Sequence, residues 1–217
     1  MLQAPSFIED HISQIPALQL LIKLGYRYLT PEETLEARGG RSSNVLLERI
    51  LKNQLKEINS IEFKGKEFAF SDTNINTAIL AIRDLPLQDG YIAANQTFYD
   101  LITLGKSFEQ NILGDKKSFT LQYIDWVNPD KNVYHVAEEY AVSRSGRTDT
   151  YRPDIVLFIN GIPMVIIECK SPKIKHPIDQ AIEQHMRNQQ EDGIRPLYAY
   201  SNLTISLAVH EAQYATT

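Results

Sequence analysis

The sequence predicts an α/β (α+β) fold in which a mixed central β-sheet is flanked by helices, with a mainly helical N-terminal part. Three observations predict it. Helical periodicity runs to about residue 105. From Ser107, short β-branched and aromatic runs alternate with turn signals. A helical pattern returns after Pro172 and gives way to apolar runs near the end. Residues 1–105 are therefore expected to pack on the sheet and residues 106–217 to form its core, together making one compact unit.

At 217 residues the chain can bury a full core, and 43% hydrophobic with 23% charged residues is a globular composition. No apolar run approaches the ~20 residues that cross a bilayer, and no basic segment leads into an apolar one at the start, so a cytoplasmic protein without membrane contact is expected. The single cysteine, Cys169, excludes an internal disulfide framework and reads as a buried thiol. A net charge of −5 argues against general clamping of nucleic acid. Residues 141–178 reverse that sign with a net of +3, which reads as a solvated basic face or a phosphate track.

Along the chain, Ser6 and Glu9 form a capping-box pattern before an apolar series through Ile12, Ile15, Leu18, Leu21 and Ile22, with Pro16 expected to kink the helix and Gly25 to stop it. The polar stretch 28–44, with Gly39-Gly40, reads as a connection. Asn44 is expected to open a second helix carrying Val45, Leu47, Leu51, Leu55 and Ile58 on one face. Residues 63–68 read as a turn between strand-like pieces, followed by a helix capped near Asp72 to Asn74 and another ending at Gly105. Strands are expected within 107–113, 116–127, 133–143 and 151–159, with Trp126 and Tyr134 facing each other across a hairpin as packing residues. The segment 143–147 reads as a flexible loop whose Arg144 and Arg147 reach DNA phosphate, or as a plain exposed loop. A helix over 177–192 has Ile178, Ile182 and Met186 on its apolar side, and the last strands are expected in 196–202 and 203–209. The histidines show no paired metal spacing and there is no Cys-x-x-Cys, so no zinc site is indicated.

The stretch from Arg152 to Pro172 lodges Asp154, Glu168 and Lys170 among apolar runs. Asn160-Gly161 between two such runs predicts an antiparallel hairpin. Alternation puts Glu168 and Lys170 on one side of the second strand and Cys169 with Ile167 on the other. The turn brings Asp154 and Glu168 together, an arrangement a hard divalent cation such as Mg²⁺ makes tolerable. Lys170 beside them is placed to orient or deprotonate a water, or to neutralise phosphate charge. This is the chemistry of phosphodiester hydrolysis.

Pro153-Asp154 followed by Glu168-x-Lys170 resembles the PD-(D/E)xK nuclease superfamily. With its Asn-Gly turn, its Lys-Ser-Pro exit and a following helix that carries Gln184, the chain resembles, over most of its length, the N-terminal nuclease domain of the restriction (R) subunit of type I restriction-modification enzymes. The resemblance implies a restriction-endonuclease-like fold and a Mg²⁺-dependent type I site-specific deoxyribonuclease cutting double-stranded DNA. Asp154, Glu168, Lys170 and Gln184 are then the catalytic set, with Asp154, Glu168 and the Cys169 carbonyl as metal ligands. Glu9 matches a first-helix acid that approaches such sites, and equally a capping residue. Arg144, Arg147, Lys173 and Lys175 are the DNA-binding candidates. Asn188 stands where the family's Gln-x-x-x-Tyr motif has Tyr. Methyltransferase and specificity subunits are the implied partners. ATP is implied only for a motor domain whose phosphate loop is missing from this sequence, which fits either a piece of a longer chain or a stand-alone nuclease. A non-catalytic DNA-binding or docking module of the same fold is the alternative from another class.

Overall fold

The computed structural model describes residues 13–216. Its elements are α1 (Ile15–Lys23), β1 (Arg27–Leu29), α2 (Pro31–Ala37), α3 (Glu48–Ile58), β2 (Ile61–Phe63), β3 (Lys66–Phe68), α4 (Asp72–Arg83), α5 (Tyr91–Leu104), β4 (Lys106–Ile112) and β5 (Asp115–Leu121). There follow β6 (Tyr134–Glu138), β7 (Val142–Ser143), β8 (Thr150–Tyr151), β9 (Ile155–Ile159), β10 (Ile162–Lys170), α6 (Pro177–Asn188), α7 (Arg195–Tyr200), β11 (Leu203–Ala208) and β12 (Glu211–Ala215). None of these helices is long and apolar enough to cross a membrane.

The chain divides into two compact units, residues 13–45, 134–158 and 163–216 in one, and 46–133 with 159–162 in the other. Residues 106–133, whose strand-like texture suggests the sheet core, thus group with the helical residues 46–105.

The first unit carries most of a six-stranded mixed sheet in the order β1-β6-β9-β10-β11-β12. β1 runs parallel to β6 and β10 parallel to β11, while β12 is antiparallel to β11. β9 and β10 are neighbours joined by Asn160 and Gly161 at φ 53° and 83°, the left-handed pair that a two-residue hairpin turn requires, so the expected hairpin is present. One sheet face packs Val136, Ile155, Leu157, Ile167 and Cys169 against Leu18 of α1. On the other, Phe158 meets the edge of Tyr140 at 5.2 Å. Burial on both faces explains the unbroken apolar run of β9.

Several elements differ from expectation. Pro16 lies in the first turn of α1, which directly follows Ser13 and Gln14 in a π-helical turn, and the part of the expected helix before them lies outside the described residues. The Ser6 and Glu9 capping pattern lies outside the described residues. The supposed connection after Tyr28 contains β1 and α2. Thr30 and Glu33 close a capping box, with Glu33 N–H donating to Thr30 Oγ1 at 3.2 Å and Thr30 N–H to Glu33 Oε2 at 2.9 Å. Helix α4 is capped by Ser71. Residues 196–200, expected as a strand, belong to helix α7, whose Leu197, Tyr198, Ala199 and Tyr200 are all buried; a short apolar run carries no period that separates a buried helix from a strand. On α6 the buried side is Ile178, Ala181, His185 and Asn188, and Met186 is 59% exposed. Tyr134 stands edge-on to Tyr26 at 5.8 Å and its strand pairs with β1, so it has no hairpin with Trp126.

In the second unit, α3 packs on α4, and β2–β3 and β4–β5 form separate two-stranded sheets. Trp126 donates its ring N–H to the Ile102 carbonyl at 2.7 Å. The helix expected from Asn44 starts at Glu48: Leu47 is held outside the helical region at φ −81° and ψ 70°, with its N–H donating to the Gly161 carbonyl at 2.9 Å. That contact leaves no room at the turn: a Cβ on Gly161 would lie 2.7 Å from the Leu47 carbonyl oxygen. Gly161→Ala is expected to lower stability by about 1–3 kcal/mol, read from urea unfolding followed by circular dichroism.

Two histidines of the sheet-bearing unit are buried as neutral rings. On β6, burial and the charge of Arg27 push the His135 pKa down to about 4. On α6, burial pushes that of His185 down, against a raising hydrogen bond from its Nε2 to Ile205 O, while its Nδ1 faces the Tyr198 hydroxyl at 3.0 Å. Histidines of the unfolded chain titrate near 6.5, so below that pH the unfolded state binds protons that the folded state refuses. The stability from these two sites is complete above about pH 6.5 and declines as pH falls toward the folded-state pKa. His135 alone is expected to cost on the order of 1–2 kcal/mol between pH 7 and pH 5, and His135→Gln to flatten that slope in urea titrations at the two pH values.

Candidate functional site

The site is built at the C-terminal end of β10. Parallel pairing of Val165–Lys170 with Leu203–Ala208 fixes the register, and alternation then sends Cys169, fully buried, into the core with Ile167. Glu168 and Lys170 project to the opposite side, as the sequence predicts.

Asp154 stands one residue before β9. Its Oδ2 accepts the Cys169 N–H at 2.6 Å, a side-chain bond that ties the start of one hairpin strand to the end of the other. The Lys170 ammonium lies 2.9 Å from the Cys169 carbonyl oxygen, to which it donates, and 4.0 Å from Asp154 Oδ2. Both side chains are only 12% exposed. Asp154, Lys170 and the Cys169 carbonyl therefore share one small volume.

Glu168 is completely buried. Its two oxygens receive donors from α6, Gln184 Nε2 to Oε2 at 2.6 Å and Asn188 Nδ2 to Oε1 at 3.2 Å. Gln184, which the resemblance implies for the site, thus bonds Glu168 directly. Asn188 joins it, and helical spacing carries the signal, since residues four apart share a face.

Two further residues escaped the sequence reading. Ser13 Oγ donates to the Lys170 carbonyl at 2.8 Å and Gln14 Nε2 to the Asp154 carbonyl at 3.3 Å, and both side chains are buried. A polar pair in an otherwise apolar helical pattern is the only sequence sign of them. The first helix therefore meets the site through neutral donors. Glu9 lies outside the described residues.

Beside Lys170 opens a cleft of ≈ 830 Å³, lined also by Lys175, Gln184 and Arg187 and by the acids Asp179 and Glu183. Of the four basic candidates, Lys175 lies on this cleft, and Lys173 is exposed in the turn that follows β10. Arg144 does not reach outward. Its side chain, 13% exposed, donates to Asp149 Oδ2 at 3.0 Å, Asp192 Oδ2 at 2.7 Å and the Asp192 carbonyl at 2.8 Å, and lies over the Tyr151 ring. Asp149 beside it is held below the usual carboxylate range, first by this hydrogen bond. The segment expected to be flexible is thus latched to the turn after α6, while Arg147 remains 57% exposed and reaches Asp192 at 3.3 Å.

Residues 6–217 match the family model described as the type I restriction enzyme R protein N terminus. The chain belongs to that family. It is 29% identical over 221 residues to the putative type I restriction enzyme MjaIXP endonuclease subunit of Methanocaldococcus jannaschii, a match covering 99% of this chain and 20% of the relative. It is 25% identical over 202 residues to the type I restriction enzyme HindI endonuclease subunit of Haemophilus influenzae, covering 91% of this chain and 18% of the relative. A third relative, the MjaVIIIP endonuclease subunit of M. jannaschii, is 33% identical over 174 residues, covering 79% and 15%. The chain thus spans about a fifth of the length of these relatives.

The latch separates two arginines that look alike in sequence. Arg144→Ala is expected to destabilise the protein by about 1–3 kcal/mol through three lost charge-assisted bonds. Arg147→Ala, on an exposed side chain, should stay within about 0.5 kcal/mol of wild type in the same thermal or urea unfolding assay.

Proposed function

We propose that this chain is the DNA-cleaving domain of a type I restriction enzyme R subunit, hydrolysing phosphodiester bonds of double-stranded DNA with Mg²⁺. The observation that carries this reading is the convergence of Asp154, Lys170 and the Cys169 carbonyl at the end of β10, with Glu168 on the same side of that strand.

The donor set suits a hard cation. Asp154, Glu168 and the Cys169 carbonyl offer oxygen only, and Mg²⁺ is commonly held by one or two carboxylates while it keeps several waters. When bound, such an ion lowers the pKa of a water and polarises a phosphate oxygen. The chain's own groups do the rest. Lys170 Nζ holds or takes up a proton beside the attacking water and offsets negative charge growing on the phosphate. Gln184 keeps Glu168 in orientation. Lys175 and Arg187 give the cleft two cationic groups for the DNA backbone, while Asp179 and Glu183 on the same wall repel phosphate and limit how the strand lies.

The overall charge of −5 supports dependence on other components for DNA affinity, and we assign target choice to methyltransferase and specificity subunits and DNA delivery to an ATP-driven motor. In a cleavage assay on supercoiled plasmid, Lys170→Ala and Asp154→Asn are expected to lose at least about 100-fold in rate while keeping the wild-type circular dichroism spectrum. Mg²⁺ or Mn²⁺ should raise the thermal midpoint of the wild type and not that of Asp154→Asn. Wild-type cutting by Lys170→Ala, or no metal-linked shift in the wild type, would return the fold to a docking or DNA-binding role.

A further inference from the structure

We propose that Asn188 is a positioning residue for Glu168, acting with Gln184 as a pair of neutral donors that sets the plane of the carboxylate for the cation. The inference rests on the metal-dependent reading above and names a residue that reading does not use.

Glu168 is fully buried, so each of its oxygens needs a donor. Gln184 supplies one and Asn188 the other, one helical turn apart on α6. Only the amide nitrogen of Asn188 can face a carboxylate, because its oxygen would repel it. That orientation leaves Asn188 Oδ1 buried without a partner among the described residues. A buried unmatched acceptor costs about 1–3 kcal/mol, and an apolar side chain of similar shape would avoid the cost. Packing therefore does not account for an asparagine at a position 1% exposed, whereas the bond to Glu168 does.

The neutrality of the two donors matters as much as their geometry. A lysine or arginine at 184 or 188 would orient Glu168 and also neutralise it. Two amides orient the carboxylate without themselves neutralising it. The backbone of Asn188 is fixed in turn. Its carbonyl accepts the Ile194 N–H at 2.8 Å, and a Cβ on Gly193 would lie 2.3 Å from that oxygen. The turn closing α6 thereby sets where the amide points, and the Arg144 latch holds the same turn through Asp192 and through a bond from Ser145 N–H to the Gly193 carbonyl at 2.9 Å.

The test is Mn²⁺ binding by isothermal titration calorimetry, with thermal unfolding in chelator alongside, on wild type, Asn188→Leu, Asn188→Asp, Asn188→His and Glu168→Gln. Asn188→Leu keeps the shape without the donor and is expected to bind Mn²⁺ roughly tenfold more weakly at a temperature where it is fully folded, with a lower thermal midpoint in chelator because one Glu168 oxygen loses its donor. Asn188→Asp, which turns a donor into a like charge, should lose at least as much. Asn188→His, whose Nδ1–H offers a donor at similar reach, should recover most of the affinity. Wild-type Mn²⁺ affinity in both Asn188→Leu and Asn188→Asp, with Glu168→Gln impaired, overturns the role of Asn188 and leaves the metal site standing. Wild-type affinity in Glu168→Gln overturns both. The isosteric Asp variant, with the His variant beside it, keeps the question answerable if Asn188→Leu does not fold.

Discussion

A carboxylate shut away from water at the end of a strand is the constraint on which this site depends. Glu168 has no exposed surface, and a buried charge left unmatched would cost several kcal/mol. Two amides from one helix are among the donors that meet it. That choice requires α6 to lie over the end of β10 with its polar face inward, at the expense of the apolar stripe an amphipathic helix normally buries. His185 and Asn188 lie on the buried side while Met186 is left outside. The helix is placed by its contacts with β11 and β12, and β11 also holds β10 in register. Strand order and site geometry are therefore parts of one arrangement.

The hairpin supplies the second requirement. Asn160 and Gly161 adopt the left-handed conformations of a tight turn, so the thirteen residues between Asp154 and Glu168 fold back on themselves and return Asp154 to the end of β10. The bond from Cys169 N–H to Asp154 Oδ2 closes the pair. Lys170 then lies against a carbonyl and a carboxylate at once. Ser13 and Gln14 brace the same two strands through their carbonyls, which makes the first helix part of the support for this site.

The surface around the site is electrostatically mixed. The basic surplus of residues 141–178 is real in the sequence, yet the structure turns Arg144 inward onto Asp149 and Asp192, and acids share the cleft wall with Lys175 and Arg187. Linear charge counting overstates the positive field, because ion pairs formed across 48 residues cancel part of it. A muted field of this kind fits the proposal that other components bring DNA to this domain.

Much of this was legible in the residues alone. The Asn-Gly turn, the two-residue alternation that buries Cys169 and turns Glu168 aside, and the helix bearing Gln184 all follow from chemistry within a few positions, where backbone sterics and period decide the outcome. The capping box at Thr30 and Glu33 was legible too and was passed over for the glycines that follow it. What the sequence could not decide is which groups meet across the fold: that Asn188 shares Glu168 with Gln184, that Ser13 reaches Lys170 from 157 residues away, that Arg144 is a latch, and that the run 196–200 coils where it might have extended. Those outcomes depend on competition for buried donors and buried volume. Both are properties of the packed molecule, and no local stretch of chain carries them.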